Sequence, residues 1–456
     1  MTRSNIATAV ADAAKSFAGR LIQPGEGGYE DARRIHNGLV DKRPALIAQC
    51  LGLADIADAI RLGKALGLEI AVRGGGHNVS GRATVDGGVM IDLSLMRTVH
   101  VDPRGRTARV AGGATWRDFN REAQAHGLAT TGGIVGTTGV AGLTLGGGLG
   151  WLMSRHGMAL DNLRSVDLVL ADGGIVRASA SEEPDLFWAV RGGGGNFGVA
   201  GFFEFGLHQI GPVVHGGLVA WPYANAKDVL RLFRDLTAKA TDDQMLIAAL
   251  LTGPDGATKL VAIASAHFGP AAAAEAAFKP IKSFGTPAMD ALGPIPYVAL
   301  NGMLDGAFPK GALNYWKSHF LDTLSDAAID AAIAHFASCP SSMSQFLFEH
   351  FHGAASRVAV DSTAFALRGS GFNTMMLGEW LDPKDTDRNV RWTKEGYVVL
   401  QPFVGERRYL NYLDADDAGD KNLTAVYGPN LPRLRTLKKR YDPDNVFHLN
   451  VNIPPA

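Results

Sequence analysis

Cysteine is nearly absent from this chain: Cys50 and Cys339 are the two in 456 residues. They lie far apart and without metal-ligand spacing, so neither a disulfide framework nor a zinc site is indicated, and a reducing, cytoplasmic setting is expected. Charge of one sign is also missing. Forty-four Lys and Arg stand against 45 Asp and Glu, a net charge of −1, with no basic block, so nucleic acid is not expected as a partner. Nor does any apolar run approach the roughly 20 residues a membrane span needs. The opening stretch MTRSNIATAVADAAKSFAGRL lacks the unbroken apolar core of a secretion signal, so no membrane partner is expected. A P-loop sequence, G-x-x-x-x-G-K-[ST], is absent too, which removes that class of nucleotide hydrolase.

Glycine is abundant, at 56 residues, and it is concentrated. Nine fall between Gly132 and Gly150, and Gly192 to Gly195 is unbroken. Clusters of this kind point to backbone wrapped closely on a ligand, because dispersed glycine only weakens helices and strands. The tightest cluster is Arg73-Gly74-Gly75-Gly76-His77-Asn78, which directly follows the apolar run Ile70-Ala71-Val72. This reads as a strand delivering a turn whose N–H groups crowd a phosphate, with Arg73 adding charge and His77 at the lip. The competing reading is a surface turn with an incidental histidine.

At this length two domains, or one with a large insertion, are expected. Leu53 to Leu66 has the helical spacing of Ile56, Ala59 and Ile60, and Thr115 reads as the N-cap of a helix burying Trp116, Phe119 and Ala123. Short strands around Ile91, Val99 and Val110, and a hairpin turning at Ala171-Asp172-Gly173-Gly174, complete an α+β unit over residues 1–210. Residues 211–405 have longer alternating strands and amphipathic helices, predicting an antiparallel sheet covered by helices. Residues 406–456 are too few for a domain and are expected to return to the first.

Gly193-Gly194-Gly195-Asn196-Phe197-Gly198 satisfies G-x-G-x-x-G, but a helical pattern precedes it and a strand follows, the reverse of a nicotinamide dinucleotide fold. Taken together, four stretches carry a different resemblance: VRGGGHNVSG from Val72, TTGVAGLTLGGGLGWLMSRHGMALDNL from Thr137, DLFWAVRGGGGNFGV from Asp185, and YLNYLDADD from Tyr409 with YDPDNVFHLNVNIPP from Tyr441. In this order and spacing the chain resembles the vanillyl-alcohol oxidase and p-cresol methylhydroxylase flavoproteins, in their berberine-bridge-enzyme-like branch of bacterial type.

The resemblance implies a two-part FAD-binding domain of the p-cresol methylhydroxylase type, completed by the C-terminal segment, plus a substrate domain. It implies Arg73, Gly74, Gly75, Gly76, His77, Asn78 and Ser80 at the FAD pyrophosphate, with FAD covalently attached through His77. It also implies Gly139, Ala141, Gly142, Thr144 and Gly146 along the dinucleotide, Val199 near the adenosine end, and Asn411, Asn450 and Asn452 closing over the cofactor. Where many relatives carry a second, cysteinyl attachment this chain has Val135, so a single link is expected. Thr138 stands where a β-branched residue beside the flavin influences oxygen access. Departures occur at Val451, usually Gln, and Leu367, commonly His.

The activity implied is hydride removal from an alcohol, sugar or amine carbon to the flavin, with O2 as electron acceptor and hydrogen peroxide as product. Tyr412 is the candidate base, serving if a neighbour lowers its pKa; the alternative is an aromatic wedge. His350 and His352 alternate on a strand, so they share a side. They face the substrate cavity with Glu349 turned away, or they are a solvated face. Arg368 and Tyr315 are further candidates, and no metal is required. A small-molecule substrate is expected, while a dehydrogenase using a quinone or protein carrier and a non-catalytic flavin-binding protein remain open at this point. Oligomeric state is not legible.

Overall fold

The computed structural model describes residues 3–417 and 419–456. Three sheets organise it. The first contains β1 (Arg20–Ile22), β2 (Leu46–Gln49), β3 (Ile70–Arg73) and β4 (Val89–Asp92) in the order β1-β2-β4-β3, with β2, β4 and β3 parallel. The helix Leu53–Ala65 connects β2 to β3 and buries Ile56, Ala59 and Ile60, as its spacing predicts.

The second sheet is antiparallel, with strands β5 (Val99–Asp102), β6 (Thr107–Ala111), β8 (Leu163–Val169), β9 (Ile175–Ser179) and β10 (Val199–Gly206) in the order β5-β6-β10-β8-β9. A two-stranded pair, β7 (Leu128–Ala129) with β11 (His208–Gln209), lies beside it. The hairpin joining β8 to β9 turns at the predicted Asp172-Gly173 step. Thr115 caps the helix Trp116–Gln124 in a reciprocal box with Asp118.

The third sheet holds β12 (Val213–Pro222), β13 (Gln244–Thr252), β14 (Lys259–His267), β15 (Met289–Asp290), β16 (Gly293–Pro296), β17 (Leu313–Leu321), β18 (Gln345–Phe351) and β19 (Gly371–Trp380). Its order is β15-β12-β14-β13-β18-β19-β17, antiparallel throughout, with β16 also paired to β12. Alternation along these strands produces two faces. Phe346, Phe348 and Met376 pack beneath the helices Ala226–Thr237, Asp326–Phe336 and Thr386–Leu400 through Phe233, Ile329, Phe336 and Trp392. Leu347, Met375, Leu377 and Trp316 turn the opposite way, toward Val79 and Val135 of the glycine loops.

The C-terminal helices Asp420–Tyr427 and Leu431–Tyr441 share one core with the second sheet, where Leu434 and Leu437 meet the cluster of Trp188, Phe197 and Phe203. Lys438, with no solvent exposure, donates to Asn196 O at 2.7 Å, Asp442 Oδ2 at 2.6 Å and Phe447 O at 3.1 Å. This ties the tail to the Gly192 run. Among the described residues no helix is long and apolar enough to cross a membrane.

Candidate active site

One cavity runs from the glycine loops to the third sheet. Gly198, Val199 and Ala200 line one end, Gly74 to Val79, Val135, Thr138, Gly139, Ala141, Gly142 and Gly146 the middle, and Phe308, Trp316, Leu347, Glu349, Met375 and Leu377 the sheet end. Asn411, Tyr412, Asn450 and Val451 from the tail close it. Segments remote in sequence therefore meet in one space.

Glycine there does two different things. At Gly75 an added Cβ would lie 2.4 Å from Gly139 Cα, so two loops touch backbone to backbone and admit no side chain. Gly146 and Gly195 make room for the amides of Asn411 and Asn450. Gly142, in contrast, has nothing within 4 Å of its added Cβ and lies on the cavity wall, so its missing side chain leaves space for a ligand. The backbone N–H groups of Gly75, Gly76, His77 and Asn78 have no acceptor among the described residues. Buried donors without partners are costly, and a row of them on a cavity wall suits an anion.

Four expected ligands, Arg73, Ser80, Thr144 and Asn452, are absent from the cavity wall. Arg73 turns away: it forks onto Asp92, Nε at 2.8 Å and one terminal nitrogen at 2.5 Å, and donates to Ala32 O and Arg34 O. A buried guanidinium needs a partner, and Asp92 of the adjacent strand supplies it. Arg73 holds the turn from beneath, and the guanidinium on the cavity wall is Arg82, which sequence reasoning missed. Ser80 donates to Asn78 Oδ1 and accepts from Arg82 Nε at 3.0 Å. Thr144 is fully buried off the cavity wall, with its hydroxyl unpartnered among the described residues. Asn452 is off the wall as well, whereas its neighbour Asn450 is on it and donates to Gly195 O at 3.0 Å. Asn411 Nδ2 donates to Leu143 O and Tyr409 Oη, both at 2.9 Å.

His77 lines the cavity, its Nε2 3.3 Å from Thr137 Oγ1. Its ring stacks on that of His36, centroids 3.9 Å apart. Burial lowers it to about 3, so the imidazole is neutral and keeps a nitrogen lone pair at pH 7. Cys50 is buried in the core of the first sheet and Cys339 packs under the third sheet's helices, while Val135 is on the wall.

At the sheet end the expectation for β18 is reversed. His350 and His352 do share a side, stacked with centroids 3.9 Å apart, but it is the helix-covered side, where His350 also lies on Phe372. They border a separate hollow with Arg234, Asp242 and Ser325. Glu349 points into the cavity shared with the glycine loops, and it is the one carboxylate on that wall among the described residues. Period-2 alternation fixes which residues group together; the choice of side follows from Phe346 and Phe348, which belong under the helices.

Glu349 accepts from Asn373 Nδ2 at 2.6 Å and from Tyr412 Oη at 3.2 Å. Burial pushes its carboxyl up to about 7, with those two hydrogen bonds opposing. The condition for Tyr412 to serve alone, a neighbour that lowers it, is not met. Burial, and next the charge of Glu349, raise it well above the usual tyrosine range. The proton-accepting group of the pair near neutrality is therefore the carboxylate.

Arg368 is off the cavity wall and is committed to Asp161, at 2.9 and 2.7 Å, and Ala355 O. Tyr315 donates to Asp416 at 2.7 Å, also off the wall. Among the described residues no group of three His, Cys, Asp or Glu could hold a metal ion.

Residues 44–179 match the family described as FAD binding domain, and residues 408–454 the one described as berberine and berberine like. The chain is 30% identical over 455 residues to (R)-6-hydroxynicotine oxidase of Paenarthrobacter nicotinovorans, covering 96% of this chain and 97% of that protein. It is 28% identical over 462 residues to glucooligosaccharide oxidase of Sarocladium strictum, covering 94% and 91%. The solved structure of 6-hydroxy-D-nicotine oxidase from Arthrobacter nicotinovorans matches with a TM-score of 0.88 at 29% identity, over 97% of this chain and 99% of that one.

Proposed function

Because this chain belongs to the berberine-bridge-enzyme-like FAD-linked oxidoreductases, we propose that it is an oxidase of an amine or alcohol carried on an apolar body. In this reading residues 1–210 and 406–456 hold the cofactor and residues 211–405 build the substrate wall.

The donor set fits a flavin dinucleotide. Free N–H groups from Gly75 to Asn78, with Arg82 on the same wall, suit the pyrophosphate, and the open space at Gly142 suits the chain between it and the ring. Asn411 and Asn450 close the cavity from the tail, and neutral His77 is the attachment nitrogen for a single covalent link. Bound FAD supplies the hydride acceptor and passes the electrons to O2, giving hydrogen peroxide.

The chain's own part is the proton. With Glu349 ionised, Tyr412 donates to it and leaves an oxygen lone pair for the substrate's O–H or N–H. As that hydrogen passes to Tyr412 Oη, the tyrosine's own proton passes to Glu349 Oε1, so the charge ends neutralised on the carboxyl. Asn373 holds the other carboxylate oxygen and fixes the direction of the relay. The observation that carries this reading is the Tyr412–Glu349 hydrogen bond inside the flavin-side cavity.

The wall around that pair is Phe308, Trp316, Leu347, Met375, Leu377 and Ile134. It offers few partners for the many hydroxyls of a sugar, whose burial without hydrogen bonds is costly. Oxygen uptake and peroxide formation over aryl and alkyl amines, benzylic alcohols and oligosaccharides test the proposal. Turnover of amines or benzylic alcohols with peroxide is expected. Turnover of oligosaccharides alone contradicts the substrate assignment, and reduction of artificial acceptors without oxygen uptake contradicts the oxidase assignment.

A further inference from the structure

His36 belongs to no motif in the sequence, yet its ring lies flat on that of His77, with centroids 3.9 Å and planes 20° apart. It is 6% exposed, and its Nε2 has no hydrogen-bond partner among the described residues. The segment carrying it is fixed at three points. Its N–H donates to Gly76 O at 2.9 Å, its carbonyl accepts from Gly311 N–H at 2.9 Å, and Asn37 Nδ2 donates to Val79 O and Asn314 O. The backbone thus grips both sides of the glycine turn, from Gly76 to Val79, and presents one imidazole to the other.

Such a stack limits rotation of His77. With Thr137 Oγ1 at Nε2 on the ring edge, the second degree of freedom is restrained as well. A histidine that must meet a carbon of a bound ring needs its edge aimed and its lone pair free, and orientation of this sort is a large part of the rate of any bond-forming step. Both rings are held neutral by burial, His36 at about 4 and His77 at about 3, so the stack carries no charge repulsion at pH 7.

We propose that His36 is a positioning residue for flavin attachment, holding the His77 ring edge toward the cavity by stacking. The inference rests on the covalent reading given above. In that step one imidazole N–H and one C–H of the flavin's 8-methyl group are replaced by an N–C bond. The two electrons and two protons released reduce the same flavin, and dioxygen then takes them up as hydrogen peroxide.

The test uses the purified proteins as they emerge from expression. Total flavin, and the fraction that stays on the polypeptide after acid denaturation, are measured by visible absorbance and intact mass for the wild type, His36→Ala, His36→Phe and His77→Ala. The expected result is flavin fully retained in the wild type and fully acid-released in His77→Ala. In His36→Ala, FAD is still bound, but the acid-stable fraction falls about tenfold, the scale of one stacked aromatic contact. His36→Phe, which keeps a ring for stacking, restores most of it. An acid-stable fraction in His36→Ala equal to the wild type overturns the proposal. So does loss of all flavin from His36→Ala, or a His36→Phe protein no better than the alanine variant, since each makes His36 a general part of the wall. Acid-labile flavin in the wild type instead overturns the covalent reading itself, and the positioning role falls with it.

Discussion

Glu349 is a carboxylate with apolar neighbours on a strand of aromatic residues, and it reaches neutrality at about 7 because burial disfavours its charge. As proton acceptor it must be ionised, so kcat/KM rises with pH through about 7. Glu349→Gln removes that rise, and Tyr412→Phe breaks the relay; each lowers flavin reduction by roughly 10²–10⁴-fold, the usual range for general-base help, while bound flavin is retained. Glu379 offers a stability counterpart. It is fully buried, neither carboxyl oxygen has a partner among the described residues, and burial pushes it from 4.5 up to about 8. Between those values the folded chain keeps a proton that the unfolded chain has released. The group's contribution is therefore present below pH 4.5 and is lost as pH rises, by up to about 1.4 kcal/mol per pH unit. Glu379→Gln removes the ionisation, so urea denaturation at pH 6 and pH 8.5 is expected to show the variant gaining on the wild type as pH rises. An unchanged pH slope would place this carboxyl in contact with water.

At the scale of elements the decisive feature is where loops and strands face. The Gly75–Gly139 approach leaves no space for a methyl group, and both partners are backbone. Gly75→Ala forces the two loops apart, an overpacking cost of about 1–3 kcal/mol. It is expected to lower the flavin-to-protein ratio and the melting temperature together; a variant with normal flavin content would mean that the loops separate freely. The sequence made these loops legible because glycine clustered after a strand has few other uses, and the cap at Thr115, the β8–β9 hairpin and the amphipathic helix Leu53–Ala65 were legible for similarly local reasons. The direction of β18 was not. Phe346, Phe348 and Phe351 are buried on both sides of the sheet, so apolar alternation, the usual signal, is silent there. The lone acidic residue among phenylalanines was the one available clue. Arg73 misled for a related reason: a guanidinium beside glycines suits a phosphate, but an aspartate on the neighbouring strand, Asp92, takes it first.

Across the whole molecule, the returning tail supplies the last side of the cavity, through Asn411, Tyr412, Asn450 and Val451. Lys438 and Asp442, both without exposure, fasten the last helix to Asn196, and Asn196 in turn holds Val451 O and Ile453 N–H. Lys438→Ala leaves the Asp442 carboxylate buried and unpaired, a loss of about 3–5 kcal/mol. Scanning calorimetry is expected to show a lower melting temperature and, in a His77→Ala background that cannot attach flavin at that residue, flavin lost before the rest of the fold melts. Simultaneous loss would mean that the tail is not a separate closure. The resemblance carried by four dispersed stretches made this assembly legible, since the Tyr409 and Tyr441 segments have no core of their own. The apolar wall beside Tyr412 and Glu349 was hidden, because Trp316, Leu347, Met375 and Leu377 come from three strands that only the sheet brings together. In the proposed reaction, substrate oxidation delivers its proton through Tyr412 to Glu349. The most direct measurement is the anaerobic rate of flavin bleaching against pH, for the wild type and Glu349→Gln, with a substrate found in the panel. A wild-type rate rising through about 7 and a slow, flat profile in the variant is the predicted result. A variant that keeps both the wild-type rate and its pH dependence would contradict proton delivery to Glu349.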